Sequence, residues 1–242
     1  SNLSEKRTVS GRIELNNTGS FEGLPEDDHN NLNEESFSVI DSFEDGDVDE
    51  YSTQIGRGDS ADISITSSIT ENGSNAGNFT ISSSTLYADT WAISTSQSGL
   101  NSYPAQGDIF EAWTYTEFDS LTGVENGIVF GKQSGGISGY AVRVHESSQF
   151  GIIRLDSGSR TFLSTKNSLS ISDNAWYRIK VEWQNDGTII ASLYNQSGSE
   201  VTSITATDNT YNSGGFGWYY GIYEDAERNL LGDSAKITGS VS

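Results

Sequence analysis

The stretch Asn174–Val201, "NAWYRIKVEWQNDGTIIASLYNQSGSEV", decides the fold. Its first half alternates: Tyr177, Ile179, Val181 and Trp183 fall on one face of an extended chain, and Trp176, Arg178, Lys180 and Glu182 on the other. Successive side chains of a strand point to opposite faces, so this pattern predicts a strand with one side in a core and the other solvated. "QNDG" follows, and an Asp-Gly pair supplies the positive φ of a tight hairpin. "TIIASLY" is then the returning strand, and "NQSGSE" a second turn that continues the meander.

The same grammar extends in both directions. From Phe37 onward, strand-sized segments alternate with turns of Gly, Asn, Asp and Ser: "FSVIDSF", "ADISITSSI", "NFTISSSTLYADTWAIST", "DIFEAWTYTEF", "NGIVFGK", "SGYAVRVHES", "QFGIIRLDSG", "VTSITATD", "GGFGWYYGIY" and "SAKITGSV". No segment carries a helical period, and short strands at regular spacing predict an all-β sandwich or barrel over residues 37–242. Residues 1–36 read differently. A short alternating run, "RTVSGRIEL", precedes the polar, acidic "NNTGSFEGLPEDDHNNLNEES", which together predict an extended arm and linker that attach the domain to something else.

Composition limits the partners. The formal charge is −21, from 34 acidic and 13 basic residues. Nucleic acid is excluded as a default partner, because phosphate neutralisation needs clustered cations. Dense carboxylates with few lysines fit a protein from a salt-saturated environment, where salt screens their repulsion. The chain has no cysteine, hence no disulfide or thiolate metal site. No apolar run approaches the ~18 residues of a membrane span, and "SNLSEKRTVSG" lacks a signal-peptide core. Two histories fit that start: a mature form whose signal was removed, or a Ser1 that followed a cleaved initiator methionine.

The order "DSFEDGD", an aromatic-bearing strand, "GYAVRV", the 174–201 stretch, "GGFGWYYG" and "GDSAKITG" resembles the laminin-G and concanavalin-type lectin/glucanase superfamily over residues 39–240. The resemblance implies a two-sheet antiparallel jelly-roll sandwich, one sheet concave and one convex. Many relatives hold ligands on the concave face or its rim loops. Relatives that cut β-glucans carry acids at alternate positions of one strand, and alternate residues lie roughly 6.5–7 Å apart, suited to flanking a glycosidic bond. Here the comparable strand presents Glu111, Trp113, Tyr115 and Glu117. Its middle positions are aromatic, and the two acids stand about 20 Å apart. The expectation is therefore recognition and not catalysis.

Aromatic faces stack on sugar rings while charged neighbours hydrogen-bond hydroxyls. If Tyr140, Val142 and Val144 enter the core, Arg143 and His145 point outward, and Trp113, Tyr115, Arg143, His145 and Arg154 form a candidate concave-face patch. The alternative is that Trp113 and Tyr115 are core aromatics. "IDSFEDGDVDE" offers Asp41, Glu44, Asp45, Asp47 and Asp49 around a Gly46 turn, oxygen donors of the kind a hard cation takes. The resemblance adds that many relatives tie this segment to the last strand through calcium, which makes Asp41, Glu44 and Asp233 the expected ligands of a structural Ca2+. "RGDS" at 57–60 and the sequons at Asn16, Asn72, Asn78 and Asn195 are chance-level motifs in a chain this rich in Asn, Ser and Thr. The expected function is a non-catalytic recognition module at a virion surface or extracellular, in high salt: a virion structural protein such as a spike, turret or tail fibre of a halophilic archaeal virus. It would bind host-envelope glycans, dock other virion or surface proteins through residues 1–36, and assemble as a homo-oligomer. The alternative is a secreted polysaccharide-active enzyme or its carbohydrate-binding accessory domain.

Overall fold

The computed structural model describes residues 37–57, 60–83, 88–94, 103–116, 123–134, 136–222 and 226–241. The arm at 1–36, Glu117 and Asn16 lie outside them, as do Gly58 and Asp59 of "RGDS". Among the described residues there are fifteen strands and no helix. They are β1 (Ser38–Asp41), β2 (Ser52–Arg57), β3 (Ser60–Thr66), β4 (Ala76–Ser83), β5 (Ala88–Ser94), β6 (Asp108–Thr116), β7 (Glu125–Lys132) and β8 (Gly139–His145), followed by β9 (Gln149–Asp156), β10 (Ser159–Lys166), β11 (Ala175–Trp183), β12 (Thr188–Asn195), β13 (Glu200–Thr207), β14 (Gly215–Ile222) and β15 (Ala226–Ser240).

They form two antiparallel sheets. Sheet A runs β13-β12-β11-β6-β15-β4-β3, with β1 also paired to β15; sheet B runs β10-β9-β8-β7-β14-β5-β2. The chain therefore changes sheet repeatedly and stays in one sheet for the hairpin β3–β4 and the meanders β7–β10 and β11–β13. The expected hairpin is present: Gly187 has φ 83°, its N–H donates to Gln184 O at 3.0 Å, and Val181 stands opposite Ala191. In the next turn the Gly198 N–H donates to Asn195 O at 2.9 Å. One expected element is corrected. The segment 78–95 is not a single strand: it supplies the end of β4 in sheet A and then β5 in sheet B.

The core is largely aromatic and lies between the sheets. Sheet A contributes Phe110, Ala112, Tyr177, Ile179, Val181 and Trp183, the very face that alternation marks in β11. Sheet B contributes Phe130, Tyr140, Val142, Val144, Phe150, Phe216 and Trp218. Edge-to-face rings link them, as at Phe130 and Trp183, 5.0 Å between centroids, and at Phe110 and Phe130, 5.1 Å. Full burial of each such side chain contributes about 1.5–3 kcal/mol relative to exposure. Large rings compensate for a low apolar content.

Candidate functional site on the outer face of sheet B

The structure separates the five residues expected to form one patch. Trp113 and Tyr115 stand on β6, on the side of sheet A that faces away from Phe110 and Ala112. There Tyr115 packs with Trp176, Ala76 and Leu231 in an apolar cluster outside the main core, its ring 5.3 Å from that of Trp176. Trp176, expected on a solvated face, is thus buried. Half-buried Trp113 lies under the Arg178 guanidinium, 5.9 Å from Cζ to ring centre. Arg143 and His145 point outward from β8 as alternation implies, but β8 belongs to sheet B. Arg154 shares the core side of β9 with Phe150 and Ile152 and ends at Asp156 (2.8 Å), Thr210 (3.1 Å) and Asp208. Alternation tells which side of its own sheet a residue faces, not which sheet holds the strand.

Arg143 and His145 instead join partners that sequence reading missed. Glu125 opens β7 opposite His145, and its side chain is only 1% exposed. Around it stand Arg143 Nε at 3.6 Å, Arg160 Nη1 at 3.4 Å and His145 Nε2 at 3.9 Å. The Tyr219 hydroxyl of β14 donates to Glu125 Oε2 at 2.7 Å and also meets Arg160. Apolar Val129, Ala141, Leu155 and Tyr219 pave the same face. Phe162, 53% exposed, lies over the Arg143 guanidinium at 5.3 Å.

This face is cupped. Arg160 sits on edge strand β10, three strands from β7, and pairs through Leu155 with the Gly139 end of β8, while Glu125 pairs with its His145 end. On a flat sheet with strands about 4.8 Å apart and residues about 3.3 Å apart, those backbones would be separated by more than ~20 Å. Side-chain contact requires the sheet to curl around them.

Charge inside the cup is fixed by its neighbours. Burial alone would raise the Glu125 pKa, but Arg143, Arg160 and the Tyr219 hydroxyl outweigh it and hold the group below the usual carboxylate range. Burial lowers the His145 pKa, against the pull of Glu125. Its Nδ1 accepts the Ser147 N–H at 3.0 Å, which leaves the ring proton on Nε2, toward Glu125. Glu146, in the following turn, accepts the Gly123 N–H at 2.9 Å.

The acidic residues expected to share calcium are engaged individually. Asp41 accepts the Phe43 N–H (2.8 Å) and the Tyr51 hydroxyl (2.6 Å). Glu44 Oε1 accepts the N–H groups of Ser74 and Asn75, both at 2.8 Å. Asp233 Oδ2 accepts those of Glu71 and Asn72, both at 3.0 Å, and its Oδ1 takes the Ser234 hydroxyl. This trio does not fit a common ion, because each carboxylate is turned to its own donors and the three do not converge. Among the described residues, the acids whose oxygens do converge, all within 4.8 Å, are Asp45, Asp47 and Glu50 of the same turn. Burial, with repulsion from Asp41, Asp45 and Asp47, pushes the Glu50 pKa up to about 7.

No family model matches the chain, and no curated protein matches it. Solved structures do resemble it. A protein of unknown function from Shewanella oneidensis MR-1 has a TM-score of 0.56 at 16% identity, covering 86% of each chain. The lectin UEA-II, complexed with galactose, has a TM-score of 0.54 at 13% identity, covering 85% of this chain and 99% of that one. The exoplasmic/lumenal domain of VIP36, in a Ca2+/Man3GlcNAc-bound form, has a TM-score of 0.53 at 11% identity, covering 84% of this chain and 89% of that one. At such identities the likeness concerns the fold: the chain is an all-β jelly-roll sandwich of the architecture found in these structures.

Proposed function

We propose that this protein is a non-catalytic glycan-binding module whose ligand lies in the cup of sheet B, over Glu125, Arg143, His145, Arg160 and Tyr219, with Phe162 as an exposed platform. One observation carries the reading. Arg143, on the outward side of sheet B with its side chain 3% exposed, keeps Nε and Nη1 without a hydrogen-bond partner. Buried donors of that kind carry a cost of about 1–3 kcal/mol each, which a bound acceptor offsets. Two proteins with this fold, the lectin UEA-II and VIP36, are described with sugars bound, which supports a glycan as that acceptor. Hydrolysis fits poorly, because glycosidases work with two carboxyl groups flanking the bond. Glu125 is the single carboxylate among the described residues of the cluster, and Glu111 lies on the other sheet between Arg178 and Lys236, each at 3.2 Å.

Glycan-array binding of the wild type, Phe162→Ala and Trp113→Ala tests the site. The expected outcome is weakened binding for Phe162→Ala and none of that effect for Trp113→Ala. The opposite pattern would move the site to sheet A, and no glycan bound by any of the three would end the reading. Display on a virion or cell exterior, with residues 1–36 as the attachment, is the setting that the acidic composition and the polar stretch support. Recovery of the chain in purified particles would establish it, and recovery only as a free soluble protein would count against it.

A further inference from the structure

We infer that Asn72 is a site of spontaneous covalent change: its side-chain amide is lost to a succinimide formed with Gly73, which water opens to an aspartyl or isoaspartyl residue. Asn-Gly is the pair in which this ring closes most readily, because glycine puts no side chain beside the attacking nitrogen. The pair occurs at Asn72–Gly73 and Asn126–Gly127, and Asp-Gly, which closes the same ring more slowly by loss of water, occurs at Asp45–Gly46 and Asp186–Gly187. The fold treats the four differently. Asn126 is fully buried with Nδ2 donating to the Tyr115 carbonyl, and Gly127 lies against the backbone of β8. The Gly46 N–H donates to Phe43 O at 3.2 Å and the Gly187 N–H to Gln184 O at 3.0 Å, so both nitrogens are engaged in their own turns. Asn72 is exposed in the turn between β3 and β4, and among the described residues neither its side chain nor the Gly73 N–H has a hydrogen-bond partner.

Two carboxylates grip this turn on either side of the reacting atoms. Asp233 Oδ2 accepts the N–H groups of Glu71 and Asn72, and Glu44 Oε1 those of Ser74 and Asn75, which leaves the Gly73 nitrogen between the two grips. Position 73 requires glycine: its φ is 76°, and a Cβ there would stand 2.4 Å from Glu44 Oε1. The Gly73 nitrogen, once deprotonated, attacks Asn72 Cγ. The N–Cγ bond forms, the Cγ–Nδ2 bond breaks, and Nδ2 leaves as ammonia, carrying a proton in place of the one Gly73 gave up. Water then adds to one of the two ring carbonyls. Opening at one restores the main chain with an aspartyl side chain, and opening at the other routes the main chain through Cβ and Cγ. The second product lengthens the chain by one carbon between the amides that Asp233 and Glu44 hold, so both carboxylates cannot keep their pairs and one pair is released. Either product adds a negative charge to a turn that already holds Glu44, Glu71 and Asp233.

The test incubates the native full chain, the same chain unfolded in urea, and Asn72→Gln in mildly alkaline buffer, followed by peptide mapping, enzymatic methylation of isoaspartyl groups and hydrogen exchange. In the native chain, position 72 should gain about one dalton at least tenfold faster than position 126, at a rate that rises with pH, and unfolding should remove the difference. Asn72→Gln, whose ring would need six members, should lose the isoaspartyl signal and keep its Tm, since the Asn72 side chain is exposed and unbonded. As the isoaspartyl fraction grows, exchange should quicken at the amides of Glu71 and Asn72 or at those of Ser74 and Asn75. Conversion at position 72 no faster than at position 126 in the native chain would overturn the site, because it would show that the two grips keep the nitrogen from Cγ. Unchanged exchange at all four amides in converted protein would overturn the release of a grip.

Discussion

The Tyr219 hydroxyl donates a 2.7 Å hydrogen bond to Glu125, and both residues are sealed from solvent although they lie on the outward side of their sheet. The bond ties β14 to β7 and fixes the carboxylate between two arginines. Removing that carboxylate should therefore cost far more than one hydrogen bond. For Glu125→Ala, buried Arg143 loses its counter-charge and half-buried Arg160 loses one carboxylate, and a loss of about 3–5 kcal/mol is expected in urea denaturation. Tyr219→Phe, which removes only the hydroxyl, should cost about 1 kcal/mol. Similar losses for the two would show that the ion cluster does not hold the cup together.

Gly127 lies between Glu125 and Val129, under the cup, and a Cβ there would stand 2.0 Å from the Val142 carbonyl oxygen of the neighbouring strand. Backbone cannot move aside as a side chain can. Gly127→Ala should destabilise by about 2–4 kcal/mol through forced separation of β7 and β8, read as a lower Tm. An unchanged Tm would show that the strands are less closely apposed than this.

Stability should respond to pH with opposite signs at the two carboxylate groups. The folded-state pKa values of Asp41, Glu50, Glu71 and Asp233 are raised, burial being the largest cause in each. Their contribution is full below the unfolded value and is lost as pH rises; for Glu50 that window runs from 4.5 to about 7. Glu125, Asp156 and Asp208 are lowered, so their contribution is present above the unfolded values and is lost as pH falls through the folded ones. Urea midpoints should thus rise from pH 7 to pH 5 and fall again in stronger acid. Glu50→Gln should flatten the first limb alone, and an identical first limb in that variant would remove Glu50 as its source.

Asp233 and Glu44 act as clamps on the turn between β3 and β4, each taking two consecutive backbone N–H groups. Asp233→Ala would leave the amides of Glu71 and Asn72 without their acceptor. Hydrogen exchange at these two should accelerate, with a global loss of about 2–4 kcal/mol for a carboxylate at three hydrogen bonds. Unaltered exchange there would mean that the turn is held by its own backbone.

How far the sequence could be read varies by element. In β11 and β12 the alternation of Tyr177, Ile179, Val181 and Trp183 and the Asn-Asp-Gly turn are local signals, and the structure follows them residue for residue. β10 carries no local signal, because "SRTFLSTK" is an edge strand with mostly exposed or half-exposed side chains and no core stripe, though Arg160 and Phe162 share a face within it. Glu125 heads a strand that otherwise reads as apolar, and an acid leading a buried strand next to outward Arg143 is the one signal of the cluster that the sequence offers.

By itself the sequence determined an all-β chain of alternating strands, the hairpin at Gly187, the core face of β11 and the outward direction of Arg143 and His145, since all of these follow from the two-residue period of a strand and from local turn chemistry. Tertiary structure alone decided that Trp113 and Tyr115 belong to the opposite sheet, that Arg154 turns to Asp208, and that Glu125, Arg160 and Tyr219 complete the cup. The reason is that sheet membership depends on where the chain crosses between layers, and the meeting of Arg160 with Glu125 depends on the curvature of a whole sheet. Neither quantity is written in the period of any one strand.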